Sequence, residues 1–218
     1  MNLVYNISMT YLVLVRHGKS EYNERGLWTG WTDVPLVESG FEEARKTGNE
    51  LKDIHFDLAY SSTLIRAKQT LDTILKQINQ TDLQVISDQA LNERNYGDYT
   101  GKNKWDIKKE VGDEEFQKIR RGWDNPPPNG ESLKMVYDRT VPYFQAEIEP
   151  KLKEGKNILI SAHGNSLRAL VKYLENIPDD KIAYLEIGTG EAYVYKMDGQ
   201  GKIESKEIRG LNPNAGKV

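Results

Sequence analysis

Two stretches decide how this chain folds: Leu12-Val13-Leu14-Val15-Arg16-His17-Gly18, and, far along the sequence, Asn157-Ile158-Leu159-Ile160-Ser161-Ala162-His163-Gly164. Each is a short aliphatic run, too brief for a helix and apolar at successive positions. That pattern describes a strand buried on both faces. Each run ends in a histidine followed by a glycine. Strands covered on both faces belong to a mostly parallel sheet flanked by helices on both faces, an α/β fold. In such sheets ligands bind at the carboxyl ends of the strands, which is where both histidines fall.

Working outward, further short apolar runs alternate with helical patterns. Ser39-Gly40-Phe41-Glu42 has capping-box spacing and predicts a helix reaching Lys52. Strands are expected at Leu58 to Ser61 and Leu83 to Ile86, with a helix over 63–79 between them. Asn92 to Gly101 reads as a turn-rich loop, followed by short helices at Lys104 to Val111 and Glu114 to Arg121. Pro126-Pro127-Pro128-Asn129-Gly130 must interrupt regular structure. A longer helix follows from Ser132, with a bend expected at Pro142. Another helix is expected over 166–174, and Ala192 to Met197 is the last clear strand. Because strands of one kind flank the proline-rich break, 1–218 reads as a single domain. Residues 1–8 read as an extension and 199–218 as a tail.

The 218 residues suffice for a full core without covalent staples, and the sequence has no cysteine, which excludes disulfides, thiolate zinc sites and a cysteine nucleophile. With 30 basic and 33 acidic residues the net charge is −3, so no general attraction to nucleic acid or anionic membrane is expected. No apolar stretch approaches the roughly 20 residues of a spanning helix. The expectation is a cytoplasmic protein.

The chemistry gathers around the two strand-end histidines. His55, the third, has no such setting. Arg16, Arg66, Arg94 and Arg168 fall in the same regions, and guanidinium forks match phosphate oxygens. Lys104 and the Arg120-Arg121 pair extend the set. Glu93, in a loop just past a strand, is the acidic candidate for moving a proton. No GxxxxGK[ST] loop is present, and no spacing of ligands suggests a metal.

Several blocks, in series, resemble the cofactor-dependent phosphoglycerate mutases of the histidine phosphatase superfamily. They are LVLVRHGKSEYN (12–23), LWTGWTDVPL (27–36), LNERNYGDYTGKNK (91–104), IRRGWDNPPP (119–128) and GKNILISAHGNSLRALVKYLE (155–175). The resemblance implies that His17 becomes phosphorylated and that Glu93 is the general acid and base. It implies that Arg16, Arg66 and His163 stabilise the phosphoryl group in transfer. Ser20, Asn23, Gly164 and Asn165 would complete the phosphate pocket. Thr29, Gly30, Arg94, Tyr96, Lys104, Arg120 and Arg121 would hold the rest of the ligand. The implied reaction interconverts 3-phosphoglycerate and 2-phosphoglycerate, primed by 2,3-bisphosphoglycerate, without a metal. The alternative is a histidine phosphatase that hydrolyses a small phosphate ester. A non-catalytic binding module would lack the nucleophile or the acid, and both are present.

Three features depart from the family pattern. Lys19 adds a positive charge beside His17. The connection from Pro128 to Glu131 is short, which opens one rim of the site and leaves self-association open. The tail after Asp198 differs from the segment that can cover the pocket in relatives, which would admit water.

Overall fold

The computed structural model describes residues 9–213. The strands are β1 (Thr10–Arg16), β2 (Leu58–Ser61), β3 (Val85–Ser87), β4 (Ile158–Ala162), β5 (Ala192–Met197) and β6 (Ile203–Arg209). The helices are α1 (Glu21–Glu24), α2 (Glu38–Glu50), α3 (Ile65–Gln77), α4 (Lys104–Val111), α5 (Asp113–Arg121), α6 (Leu133–Tyr143), α7 (Glu149–Lys153) and α8 (Gly164–Glu175). The strands form one sheet in the order β3-β2-β4-β1-β5-β6. The β3-β2, β2-β4 and β4-β1 pairs are parallel, and β5 and β6 complete the sheet in antiparallel fashion.

Alternation along β1 builds two cores. Leu12 and Leu14 point to one face, where Phe144, Ile148, Leu167 and Leu170 cover them. Val13 and Val15 point to the other, against Leu51, Phe56, Leu71 and Ile74. All of these side chains are buried, and each contributes about 1.5–3 kcal/mol relative to exposure. A smaller cluster of Trp28, Tyr96, Tyr99, Ile107, Phe116 and Ile119 packs α4 and α5 onto the loops at the carboxyl edge. No helix among the described residues is long and apolar enough to cross a membrane.

The register of the central pair positions the chemistry. Arg16 stands opposite Ala162 in the parallel β1-β4 ladder, so His17 and His163 leave the sheet side by side. The ladder continues one step further, with the His17 amide donating to the Ala162 carbonyl at 3.0 Å.

Some expectations need correction. The helix expected to open through a capping box at Ser39 begins instead at Glu38, with Val37 in the cap position and no side-chain cap. Tertiary contact sets this end: a Cβ on Gly40 would lie 2.1 Å from the Lys19 carbonyl oxygen, and Glu43 Oε2 accepts from the Lys19 amide at 2.8 Å. A side-chain cap forms instead at Ser20, ahead of α1. Helix α6 runs through Pro142, and the winding changes immediately afterwards to a π-helical turn, Phe144–Ile148. Within the expected tail, Ile203–Arg209 form β6, which pairs with β5 across most of its length. Arg209 ties that strand to Asp53 on the sheet's flank, away from the histidines. The expected extension, 1–8, and the last five residues lie outside the described residues.

Candidate active site

His17 is almost wholly buried, and its Nδ1 lies 2.7 Å from the carbonyl oxygen of Gly18. A carbonyl can only accept, so Nδ1 carries the proton and Nε2 keeps its lone pair. Burial, then the charges of Arg66 and Arg16, hold the imidazole pKa well below its ordinary value. His17 is therefore neutral, with a defined tautomer. His163, fully buried, sits with its ring centroid 4.9 Å from that of His17. Its Nε2 pairs with the Ser62 hydroxyl at 2.7 Å. Burial and the neighbouring arginines hold its pKa well below the usual imidazole value too. One phosphorus centre can bridge rings at this separation.

Arg66 enters from the first turn of α3. Its Nη1 and Nη2 donate to the carbonyls of Thr32 and Gly30 at 2.9 and 2.8 Å. Arg16 Nη1 donates to the Ile187 carbonyl at 2.6 Å. Backbone carbonyls thus fix both guanidinium groups without neutralising them. Burial lowers the Arg66 pKa to about 10. Glu93 Oε1 accepts from the amides of Arg94 at 2.7 Å and Asn165 at 3.2 Å, and from Asn165 Nδ2 at 3.0 Å. Oε2 takes no part in these bonds.

Two adjoining chambers lie against Arg16, His17, Arg66 and Glu93, while His163 is buried behind them and borders neither. The inner one, of about 50 Å³, is bordered by Arg16, His17, Asn23, Thr29, Arg66 and Glu93 among others. The outer one, of about 70 Å³, adds Arg120, Arg121, Gly164 and Asn165. Tyr96, Lys104, Arg16 and Glu93 border both. Lys104 is buried beside Arg120 and Arg16; burial and then those charges lower its pKa to about 7. Arg121 falls to about 10 for the same reasons.

Not every expected residue reaches the chambers. Ser20 is buried as the cap of α1, accepting from the Asn23 amide at 3.3 Å, and borders neither chamber. Gly30 contributes its carbonyl to Arg66 rather than a surface to the cavity. Arg94 is fully buried over the Tyr96 ring at 4.8 Å, behind the wall. Gly18 serves packing, not ligand approach: a Cβ there would lie 2.2 Å from the Gly40 carbonyl oxygen. Gly164 does front the cavity, since its Cβ would meet Arg16 and Glu93 at 3.5–3.7 Å. Lys19 turns away to Glu24, at 3.8 Å.

Sequence reasoning missed Trp28 and Glu186. Trp28 borders both chambers with a buried indole Nε1 that has no hydrogen-bond partner among the described residues. The TGW block lay beside it, but a tryptophan in a loop reads as core. Glu186 borders the outer chamber from a loop that carries no local motif. Arg168, seen as part of the arginine set, joins this wall and donates to the Arg121 and Ile182 carbonyls at 2.8 and 2.9 Å.

The buried polar nitrogens that lack a partner among the described residues also include Arg16 Nε, Arg66 Nε, His163 Nδ1 and all three nitrogens of Arg94. Several cations around few carboxylates, with donors left over, suit a polyanion. Among the described residues, no group of three His, Cys, Asp or Glu side chains is placed to hold a metal ion.

A neutral strand-end histidine with a free Nε2, a second imidazole beside it and fixed arginines define a protein that moves phosphoryl groups through histidine. The chain belongs to the histidine phosphatase superfamily (branch 1), whose family model matches residues 12–207. It is 47% identical over 199 residues to the 2,3-bisphosphoglycerate-dependent phosphoglycerate mutase of Parvibaculum lavamentivorans, covering 90% of this chain and 95% of the relative. The enzyme of that name from Nitrobacter winogradskyi is 48% identical over 202 residues, 92% of this chain and 98% of its own. Among solved structures, a phosphoglycerate mutase from Bacillus anthracis matches with a TM-score of 0.76 at 28% identity, over 94% of each chain. The alpha-ribazole phosphatase from Shigella flexneri matches with a TM-score of 0.77 at 27% identity, over 93% of this chain and 96% of that one.

Proposed function

We infer that this protein is a 2,3-bisphosphoglycerate-dependent phosphoglycerate mutase, interconverting 3-phosphoglycerate and 2-phosphoglycerate in glycolysis and gluconeogenesis. The observation that carries the reading is the His17 imidazole, neutral, held by the Gly18 carbonyl, and set 4.9 Å from His163 among arginines. The identity to the two mutases over nine-tenths of the chain supports this substrate over another phosphate ester.

In the proposed reaction, 2,3-bisphosphoglycerate supplies the first phosphoryl group to the enzyme. His17 Nε2 takes the phosphoryl group as its P–O bond breaks, and the leaving oxygen receives a proton from Glu93. On return, Glu93 removes the proton from the 2- or 3-hydroxyl of the acceptor as its oxygen takes phosphorus from Nε2. The transition state is loose, with negative charge on the equatorial oxygens. Arg16, Arg66 and His163 stabilise that charge, and their fixed partners spare reorganisation. Asn23 and Thr29, on the inner chamber, would complete the phosphate contacts; Ser20 would orient Asn23. Tyr96, Lys104, Arg120, Arg121, Gly164 and Asn165 would hold the glycerate end. Gly30 and Arg94 would act from behind, one fixing Arg66 and the other adding charge. No step in this scheme calls for a metal.

The test is isomerisation of 3-phosphoglycerate with and without added 2,3-bisphosphoglycerate, alongside phosphate release. Primer-dependent isomerisation that outruns phosphate release supports the mutase. Phosphate release equal to or faster than isomerisation would make the chain a phosphatase.

A further inference from the structure

One acidic side chain sits where a ligand's anion is expected. The Glu186 carboxylate pairs with Arg121 and lies 3.9 Å from Arg16 Nη1, on the wall of the outer chamber shared with Lys104, Arg120 and Arg168. An exposed ion pair would carry little weight. This one is different in two respects. Its backbone is pinned: the Tyr193 hydroxyl donates to the Glu186 carbonyl at 3.0 Å, and the next residue, Ile187, is buried with its carbonyl bound to Arg16. Its surroundings are a concave wall of cations, where the field of one charge is felt strongly.

We propose that Glu186 is a specificity-determining residue that occupies the distal end of the anion site and weakens binding of the most highly charged phosphoglycerate. The inference rests on the phosphoglycerate reading given above. A ligand with phosphate at His17 must place its remaining negative charge near Arg121. Either it displaces Glu186, which costs two ion pairs, or it shares Arg121 with a like charge. Both costs grow with ligand charge. A second phosphate adds about −1.5 to −2, so 2,3-bisphosphoglycerate suffers more than 3-phosphoglycerate. Inorganic phosphate, bound at the His17 end, suffers least. The resulting penalty is about tenfold in affinity for 2,3-bisphosphoglycerate and about threefold for 3-phosphoglycerate. The consequence for turnover is ready release of the bisphosphate, so that the enzyme draws its primer from solution.

Titration calorimetry in a His17→Asn background, where no phosphoryl transfer accompanies binding, reads this directly. Adding Glu186→Gln is expected to tighten 2,3-bisphosphoglycerate about tenfold and 3-phosphoglycerate about threefold, with inorganic phosphate shifting less than twofold. Glu186→Ala, which removes the charge without an amide, is expected to give the same order of effects. In the active protein, the half-saturating primer concentration falls in parallel. The inference is overturned if 2,3-bisphosphoglycerate binds no tighter to either variant, or if all three ligands tighten by one factor. A protein that binds phosphate but neither phosphoglycerate refutes the phosphoglycerate reading itself, and this inference with it.

Discussion

Acidifying the ligand-free protein below neutrality will unfold it earlier than its carboxylates alone would allow. His17 and His163 are both buried, and both have pKa values held well below the ordinary 6.5. In the unfolded chain each titrates near 6.5. Between that pH and their folded values the unfolded state binds more protons, so stability is lost as pH falls. At pH 7.5 the unfolded imidazoles are almost wholly neutral and the loss is negligible. From pH 7.5 to 5.5 the two histidines together remove up to about 3 kcal/mol. That is a large share of a typical folding free energy of about 5–15 kcal/mol. Urea denaturation at half-unit steps of pH measures it, and replacing His17 with Asn will remove about half of the slope. Inorganic phosphate, which favours a charged imidazole, will flatten it. A stability that stays level from pH 7.5 to 5.5, or a slope indifferent to His17→Asn, would refute the assignment of two buried neutral imidazoles.

Other outcomes follow from single contacts. Gly18→Ala forces a Cβ to within 2.2 Å of the Gly40 carbonyl oxygen and will cost about 1–3 kcal/mol by thermal melting. Ser62→Ala strips His163 Nε2 of its partner and will cost about 1–3 kcal/mol in stability, since a buried polar nitrogen is left alone. Arg139 donates to the carbonyls of Ala90 and Glu93 at 2.9 Å each, so Arg139→Ala will loosen the segment carrying Glu93. The expected result is a fall in kcat of about tenfold or more with a smaller change in KM, partly rescued by Arg139→Lys. Lys104, with its pKa lowered to about 7, loses its charge above neutrality. Phosphoglycerate affinity will therefore fall between pH 7 and 9, and Lys104→Arg will flatten that profile.

The aliphatic strands were legible because burial on both faces leaves an unbroken apolar run, as in Ile158–Ala162, where every residue is buried. Strand β6 was not. Ile203-Glu204-Ser205-Lys206-Glu207-Ile208-Arg209 is exposed along most of its length, so neither alternation nor an apolar run marks it, and only pairing with β5 makes it a strand. The start of α2 was misplaced because backbone contact with Lys19, distant in sequence, outweighs a local capping pattern. The charged wall was legible in its residue types: Arg16, Arg66, Glu93, Lys104 and Arg121 all border the chambers. Roles that depend on three-dimensional neighbours were not. Ser20 looks like a phosphate ligand until its hydroxyl is seen capping α1. Glu186 enters only because the loop before β5 folds back onto Arg121.

The proposed reaction turns on which atom accepts the phosphoryl group. Protein labelled with 15N in its histidine rings, mixed with 2,3-bisphosphoglycerate and quenched in alkali, can be read by phosphorus and nitrogen NMR. The prediction is one phosphohistidine, with phosphorus bonded to Nε2 of His17, and none in His17→Asn. Phosphorus on Nδ1, on His163 or on any other side chain would contradict it.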